Sequence, residues 1–586
     1  MKHYITISLA ALSLAVTACN DSDFLTEKPE TIYTLNNSFK TIDQFQASVD
    51  NQYQHIRYWY QNNFYLKGIG SDYLDISDWR CGNGSSGESN FSRWGTDYGN
   101  TNGVYEAMYM LIAYSNQTLD ALSTTTLFNS GNQTKKAYFE AQSRFFRGYA
   151  YLSLAEMFGG CPLVLHFSET PRYDYTRPTR EETYNQAVED LTFAAQNLPD
   201  VPEEAGRISK AAANHFLGEA YVALATIKDN DQSLLQKAID ATSSVINDNN
   251  YHLMTKRFGS RGTEGNGHYV ADGNPFFDLF QRESLDREEG NMESLWTLEN
   301  DLEIKHQYGG DQILAYPRTF SPMFRDIKWK EGSEYNVEGA SGGPWSGNID
   351  ETKYPGGTTC AYLGGKGVSF DSPTQYVIND IWQGKFWDDD RNAPINIRRD
   401  FICLDTKNTK MYGKVVTNDM IANPTYLYPV WTKFAPIDDY GYEGVLAGYD
   451  NSRDNMYRDD YALRLAETYL LRAEAYYRKG DLQKAADDIN ALRNRAHCKY
   501  LYQPSDVTIY SILDERAREL FGEERRWCTL LRMEPEVVQT QLKNHAMYIH
   551  DNPVYTGNIS WSLFPFPQKV IDSNTGATLE QNPGWK

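Results

Sequence analysis

Residues 461–481 read YALRLAETYLLRAEAYYRKGD, and residues 482–497 continue LQKAADDINALRNRAH. This stretch decides the architecture. Leu465, Tyr469, the Arg472-Ala473 pair and Tyr476 recur at three- and four-residue spacing, which puts them on one face of a helix. Gly480-Asp481 breaks that helix, and Ala485, Ile489 and Leu492 mark a second amphipathic one. The small side chains of Ala473 and Ala485 at the crossing let two helix backbones approach closely. Tyr476 is bulky enough to wedge into the gap against a neighbouring pair.

Such a hairpin looks like a tetratricopeptide unit, and weaker relatives lie upstream. Residues 141–157 form one helix, with Phe145, Tyr149, Leu152 and Ala155-Glu156 in register, and 182–198 supply a partner. Residues 210–227 and 234–247 make another pair, and 513–532 a further helix. From about residue 251 to 460, Gly, Pro, Asn and Asp turn signals dominate and helical periodicity is poor. The chain therefore reads as mostly α, a tetratricopeptide-like helix-pair scaffold with a large loop-rich, irregular portion carrying a few short strands. Its expected parts are a leader (1–18), a tether and N-terminal segment (19–45), a helical region (46–250), a loop-rich ligand-facing region (251–460) and a closing helical region (461–586). Residues 45–586 are expected to form one body. Repeat arrays bind partners along a concave face, but helix pairs this far apart in sequence can instead frame the loop-rich part.

The N-terminus carries an address. Lys2 and His3 precede an uncharged run from Ile5 to Ala18, the layout of a secretory signal. The run is shorter than the roughly 20 apolar residues a membrane span needs. Leu14-Ala15-Val16-Thr17-Ala18-Cys19 resembles a lipobox. That resemblance implies acylation of the Cys19 thiol and a new N-terminus at Cys19, with more than one acyl chain giving stable anchoring. Asn20, Asp21, Ser22 and Asp23 then open a polar, acidic tether.

The 586 residues are 41% hydrophobic, enough for a large core, and carry a net charge of -22. A chain this acidic is a poor partner for nucleic acid, whose binding draws on clustered Lys and Arg. A strongly anionic polysaccharide is a less natural ligand too, unless a local basic patch overrides the global charge. Besides Cys19, Cys81, Cys161, Cys360, Cys403, Cys498 and Cys528 are scattered without metal-binding spacing. They are expected mostly as free, buried thiols.

Several patterns could carry chemistry. Glu515 to Arg526 alternates acids and arginines, and the reading is structural: ion pairs along and between helices. Gly339-Ala340-Ser341-Gly342-Gly343 fits GxSxG, but its Gly/Ser/Pro surroundings read as a loop and not the strand–turn–helix of a nucleophile elbow. Asp388-Asp389-Asp390-Arg391-Asn392 has carboxylates at alternate positions, as a calcium loop would, yet lacks the glycine expected next and a suitably spaced distal glutamate. A solvated turn is the expectation there, with calcium as the alternative; no other cofactor is implied. No HExxH occurs, and Gly365-Lys366 is followed by Gly367, so it is no P-loop.

The aromatic residues say more. There are 42 Tyr, 12 Trp and 26 Phe. Tyr and Trp join an apolar face to a polar edge, which suits a sugar ring with its C–H-rich face and rim of hydroxyls. Trp79, Arg80, Asn83, Trp94 and Tyr98 cluster in a Gly/Ser/Asn stretch, where loop aromatics have little local core to bury in. Tyr308, Trp329, Trp345, Tyr354 and Tyr362 form a second group among glycines. Both groups are candidate glycan-binding sites, with rings stacking on sugar and Arg80 and Asn83 bonding to hydroxyls.

Patches along the whole chain resemble the SusD-like (RagB/SusD) family of outer-membrane nutrient-binding lipoproteins. They are Cys19 with Asp23 to Pro29; Ala141 to Tyr149 running on to Phe158-Gly159-Gly160-Cys161-Pro162; Arg207 to Leu224; Asn291 to Trp296; Glu515 to Arg526; Leu563 to Pro567; and Gln581 to Trp585. Residues 301–450 match nothing in that resemblance. It implies a helical tetratricopeptide fold, display on the outside of the outer membrane, and capture of oligosaccharide without cleavage, for delivery to a SusC-like TonB-dependent transporter. It also ranks the first aromatic group above the second. The rival readings are a tetratricopeptide adaptor assembling envelope proteins without a small-molecule ligand, and a glycoside hydrolase, for which no carboxylate pair stands out.

Overall fold

The computed structural model describes residues 38–62, 71–76, 94–97, 99–129, 131–168, 170–300, 316–435, 456, 458–546 and 561–585. Helices α1 (Ile42–Asn62), α2 (Gly99–Thr124), α3 (Gln133–Phe158), α4 (Arg180–Asn197), α5 (Lys210–Ile227) and α6 (Gln232–Ile246) each pack on the next. Local chemistry sets the ends. Thr179 and Glu182 form a reciprocal capping box at the start of α4, and Asp231 accepts the backbone N–H groups of Ser233 and Leu234 at the start of α6. The second half of α3 is buried on every side, carrying Phe145, Phe146 and Tyr149 into a core that also holds Phe216 and Trp296.

Helices α7 (Leu465–Lys479) and α8 (Leu482–Arg495) are the hairpin read from residues 461–497, turning at Gly480 with Asp481 capping α8. Ala473 and Ala485 are both fully buried in the core that fills the crossing, and half-buried Tyr476 packs against it. Helix α7 also packs directly on α6. The array is therefore continuous in space although residues 247–464 intervene in sequence. A strand pair closes the excursion: β2 (Ser294–Leu298) runs antiparallel to β8 (Asp460–Arg464), which leads straight into α7. This corrects the expected start of the hairpin. Tyr461 lies in β8, its hydroxyl donating to the Leu279 carbonyl at 2.6 Å, and the helix begins at Leu465. A five-residue strand buried throughout can read as a helical face, because both patterns are apolar.

The excursion contains short strands and single helical turns: β3 (Asp371–Pro373) pairs with β1 (Leu74–Ile76) from outside it, β4 (Ile397–Arg398) with β7 (Val430–Trp431), and β5 (Phe401–Ile402) with β6 (Val415–Val416). It holds cores of its own, one around Trp382, Trp431 and Phe434 and another around Phe324, Trp345 and Phe401. The first is completed by Ala517 and Phe521, which fastens the excursion to the scaffold.

The predicted single helix over 513–532 is two, α9 (Ile509–Leu520) and α10 (Arg526–Leu531). Gly522 breaks them apart with φ +73°, and the ring of Phe434 lies 2.1 Å from where a Cβ at that position would be. Only glycine accepts both demands. After α10 come α11 (Pro535–His545) and the short α12 (Gln568–Ser573).

The Glu/Arg run forms ion pairs, some local, as between Arg518 and Glu515 at 2.8 Å, but many of its partners are distant in sequence. Glu515 meets Arg391 at 2.7 Å and Arg493 at 3.1 Å. Glu519 meets Arg391 at 3.0 Å, Arg464 at 3.1 Å, and Arg495. Arg526 bonds Asp72 at 3.0 Å through Nε. All these side chains are buried. One charge network thus ties α9 to the excursion, to β8 and to α8. Cys161, Cys360, Cys403, Cys498 and Cys528 are free and buried, as expected.

Candidate functional site

Trp79, Arg80, Asn83, Tyr98, Tyr308 and the lipidation candidate Cys19 lie outside the described residues. Of the other predicted sugar platforms, Trp94, Trp329 and Trp345 are corrected: they are core residues, exposed by only 6%, 3% and 0%. Trp94 stacks on Trp561, centroids 5.6 Å apart and 17° between planes, with Trp527 and Phe564 on other sides. Trp345 packs edge-on against Phe324 and donates its indole N–H to the Ile402 carbonyl at 2.8 Å. Trp329 belongs to the same core, with Tyr354 and Tyr362 packed half-buried against it. The structure does bring Trp329, Trp345, Tyr354 and Tyr362 of the second aromatic group together, but to build the excursion's interior.

A different place has the geometry of a sugar site. A cleft of about 540 Å³ opens between the turn after β3, the 418–429 loop and the end of α11. One wall is a ring stack. Tyr376 and His545 lie with centroids 4.1 Å apart and 29° between planes, and the Tyr376 hydroxyl donates to Asp514 at 2.6 Å, fixing its orientation. Burial holds His545 below the ordinary imidazole range, against the pull of Asp72, Asp514 and Asp380, so the ring is neutral near pH 7.

Amide side chains supply the polar lining: Gln375, Asn379, Asn418 and Asn544. A free amide offers two donors and an acceptor; here Asn379 donates to Gln375 at 2.7 Å, and Asn418 spends its N–H groups on the carbonyls of Pro424 and Leu427, which leaves its oxygen. Arg399 also lines the cleft, and Trp387 lies against its guanidinium at 5.5 Å. Trp387 is 59% exposed, the most exposed large hydrophobic side chain among the described residues. An aromatic left open to water is informative where an exposed lysine is not. Amides that bond hydroxyls beside rings that cover C–H faces are the chemistry a sugar requires.

Sequence reasoning missed this cleft because its parts come from residues 375–380, 399, 418–429 and 544–545. Trp387, flanked by Lys385 and the Asp388-Asp389-Asp390 run, was the one signal available.

A family model described as "SusD family" matches residues 331–585, and one described as "Starch-binding associating with outer membrane" matches residues 23–222. Between them they take in most of the chain. The chain belongs to the SusD-like family. It is 26% identical to SusD-like protein P2 of Formosa agariphila over the whole of both chains. With the starch-binding protein SusD of Bacteroides thetaiotaomicron it shares 38% identity over 126 residues, 21% of each chain. A solved structure described as a laminarin binding SusD-like protein superposes with a TM-score of 0.59 at 20% identity, covering 93% of this chain and 100% of that one.

Other constellations in this SusD-like protein are structural. Ser341 sits in a loop, and its hydroxyl and backbone N–H both donate to Asp405, at 2.7 and 2.8 Å. The Asp388–Asn392 run does not converge as a calcium loop. Asp388 pairs with Lys499, Asp389 with Arg391 at 2.7 Å, and Asp390 with His497 at 2.7 Å. Among the described residues, the carboxylates close enough to share one ion are those of Asp286, Glu299 and Asp459, with ligand atoms within 4.8 Å of one another.

Protons fit that group. The Thr297 hydroxyl lies 2.7 Å from both Asp286 and Glu299, yet has one proton to give. One carboxyl must then supply its own. Burial, then the charge of Asp459, pushes Asp286 up to about 7, and burial with Asp459 and Asp286 raises Glu299 as well. A carboxyl raised in the folded state contributes stability that is complete below its unfolded pKa and is lost as pH climbs through the folded one. Stability is therefore expected to fall between about pH 4 and pH 8, with Asp286 contributing up to roughly 4 kcal/mol of the change. Urea midpoints measured across that range check this, and Asp286→Asn should flatten the slope. An unchanged slope in that variant rejects the assignment.

Proposed function

We propose that this SusD-like protein is a glycan-capture lipoprotein. It is held on the outer face of the outer membrane through Cys19, binds oligosaccharide in the cleft beside Trp387, and passes it uncleaved to a SusC-like TonB-dependent transporter. The observation that carries the reading is the cleft itself, where a stacked Tyr376–His545 wall and four amide side chains converge from separate segments, with the exposed Trp387 outside its lining but against its Arg399. The relatives support the ligand class. One is named for starch, one for laminarin, and a matching family model is described as associating with the outer membrane. The lipobox-like Leu14 to Cys19 supports the anchor.

The test is calorimetric titration of soluble protein starting after Cys19 with a panel of oligosaccharides from starch, laminarin and plant cell walls. Binding to one class is expected, weakened about tenfold or more by Trp387→Ala or Asn379→Ala with the melting temperature unchanged, as loss of a stacking or hydrogen-bonding partner worth about 1.5 kcal/mol implies. Trp79→Ala, measured alongside, reports on the first aromatic group. No binding across the panel favours the adaptor reading, and co-purification of the transporter with the acylated protein then separates adaptor from capture.

A further inference from the structure

Arg399 is a feature of the cleft that a neutral sugar does not need. Its guanidinium is half-buried, and among the described residues no carboxylate pairs with it. Its hydrogen bonds run to the carbonyls of Asn392 at 3.5 Å and Ile378 at 3.3 Å, both long, and its Nε is buried without a partner. The fully buried Arg391, Arg464 and Arg526 meet carboxylates at 2.7, 2.6 and 3.0 Å, and half-buried Arg180 is held by three carbonyls at the shorter distances of 2.8, 3.0 and 2.8 Å. Burial holds Arg399 down to about 10, with only the adjacent Asp400 opposing, so the group remains a cation at neutral pH. A desolvated cation with poor hydrogen bonds gains most from an anion. Asp380 lines the same cleft but is not paired with Arg399, so the cleft carries a positive and a negative group apart from one another.

We infer that the cleft selects a glycan bearing a carboxylate, a uronate-type sugar, whose carboxylate binds Arg399 while its hydroxyls bind the amides and Asp380. The inference rests on the cleft being the glycan site. The planar guanidinium fork matches a carboxylate in two parallel hydrogen bonds, and the Trp387 ring lies 5.5 Å from it. The net charge of -22 does not forbid this. Exposed charges beyond about 8 Å are screened at physiological ionic strength, and direct contact decides.

The decisive comparison uses the soluble protein and oligogalacturonates and glucuronoxylan oligosaccharides, each beside its own methyl ester, with maltooligosaccharides and laminarin oligosaccharides as neutral probes. Esterification removes the charge and keeps the sugar. One free acid is expected to bind about tenfold or more tighter than its ester, and less tightly as salt is raised. Arg399→Gln should abolish that preference at an unchanged melting temperature, and Arg399→Lys should keep only part of it. Equal binding of acid and ester, or binding of neutral probes alone, overturns the carboxylate inference and leaves the cleft as a glycan site. Glycan binding that survives both Arg399→Gln and Trp387→Ala removes the cleft from the reading. No binding to any probe overturns both. If Arg399→Gln fails to fold, the acid–ester comparison on the unaltered protein still decides.

Discussion

Glu519→Gln is expected to destabilise the protein by about 3–5 kcal/mol, the cost of leaving buried charges without their partner. The glutamate stands between three arginines, Arg391, Arg464 and Arg495, from the excursion, β8 and α8, and all four side chains are buried. Burial alone would raise its pKa, but the Arg495, Arg464 and Arg391 charges overcome that and hold it well below the usual carboxylate range. A depressed carboxylate contributes stability above its unfolded pKa and loses it as pH falls through the folded one. Near neutral pH the full contribution is therefore present to be lost. Glutamine keeps the shape, removes the charge and turns an N–H₂ group towards guanidinium donors. The urea midpoint should fall with the denaturant slope preserved if unfolding stays two-state. Glu334→Gln, at an exposed pair with Lys410, should leave the midpoint where it was. A shift for Glu519→Gln no larger than that of the control means that the arginines find other partners and that the network is not what fastens the excursion to the scaffold.

That network also shows how far a sequence can be read. Helix α5 over 210–227 was legible to the residue, and α7 and α8 nearly so, because their apolar periodicity and their breakers act within one turn of chain. The Glu515–Arg526 run was rightly read as ion pairing, but Arg391 and Asp72, its partners from far upstream, carry no local sign of that role. The same limit explains the tryptophans. Trp94, Trp329 and Trp345 sit among glycines and polar residues, which suggests no core nearby, yet Phe324, Phe401 and Trp561 reach them from distant segments. Burial is a long-range property; exposure of a loop aromatic cannot be inferred from its neighbours in sequence. The cleft is the same case reversed, since Asn379, Asn418 and Asn544 are ordinary surface amides until the fold points them at one space. Family resemblance reached the scaffold because the scaffold is what its patches describe, and residues 301–450, where the resemblance is silent, contribute much of the cleft.

Gly160→Ala should prevent folding of the native protein, or destabilise it beyond the roughly 4 kcal/mol that marks exceptional substitutions. Gly160 lies where the chain leaving α3 passes the chain entering α4, and a Cβ built there falls 1.8 Å from the Pro178 carbonyl oxygen and 3.0 Å from the carbonyl carbon of Thr179. The obstacle is backbone, which cannot rotate aside as a side chain would. Nor is the backbone free to retreat. Arg177 donates to the Gly160 carbonyl at 2.8 Å and to the Phe158 carbonyl at 2.9 Å, and Asn582 of the closing segment donates to that same Phe158 carbonyl at 2.9 Å. The Cys161 N–H is held by Thr183 at 3.1 Å. Moving Pro178 and Thr179 away would also strip α4 of its capping box, worth about 1 kcal/mol by itself. Gly103→Ala is the control. Gly103 lies within α2, with nothing within 4 Å of where a methyl group would sit, so alanine there should raise stability by about 0.5–1 kcal/mol. Soluble yield and urea midpoints of the two variants, measured together, distinguish a steric demand at one crossing from a general cost of replacing glycine. A Gly160→Ala protein that folds with a midpoint near that of the parent shows that the α3–α4 connection yields, and that this crossing does not set the register of the helices on either side of it.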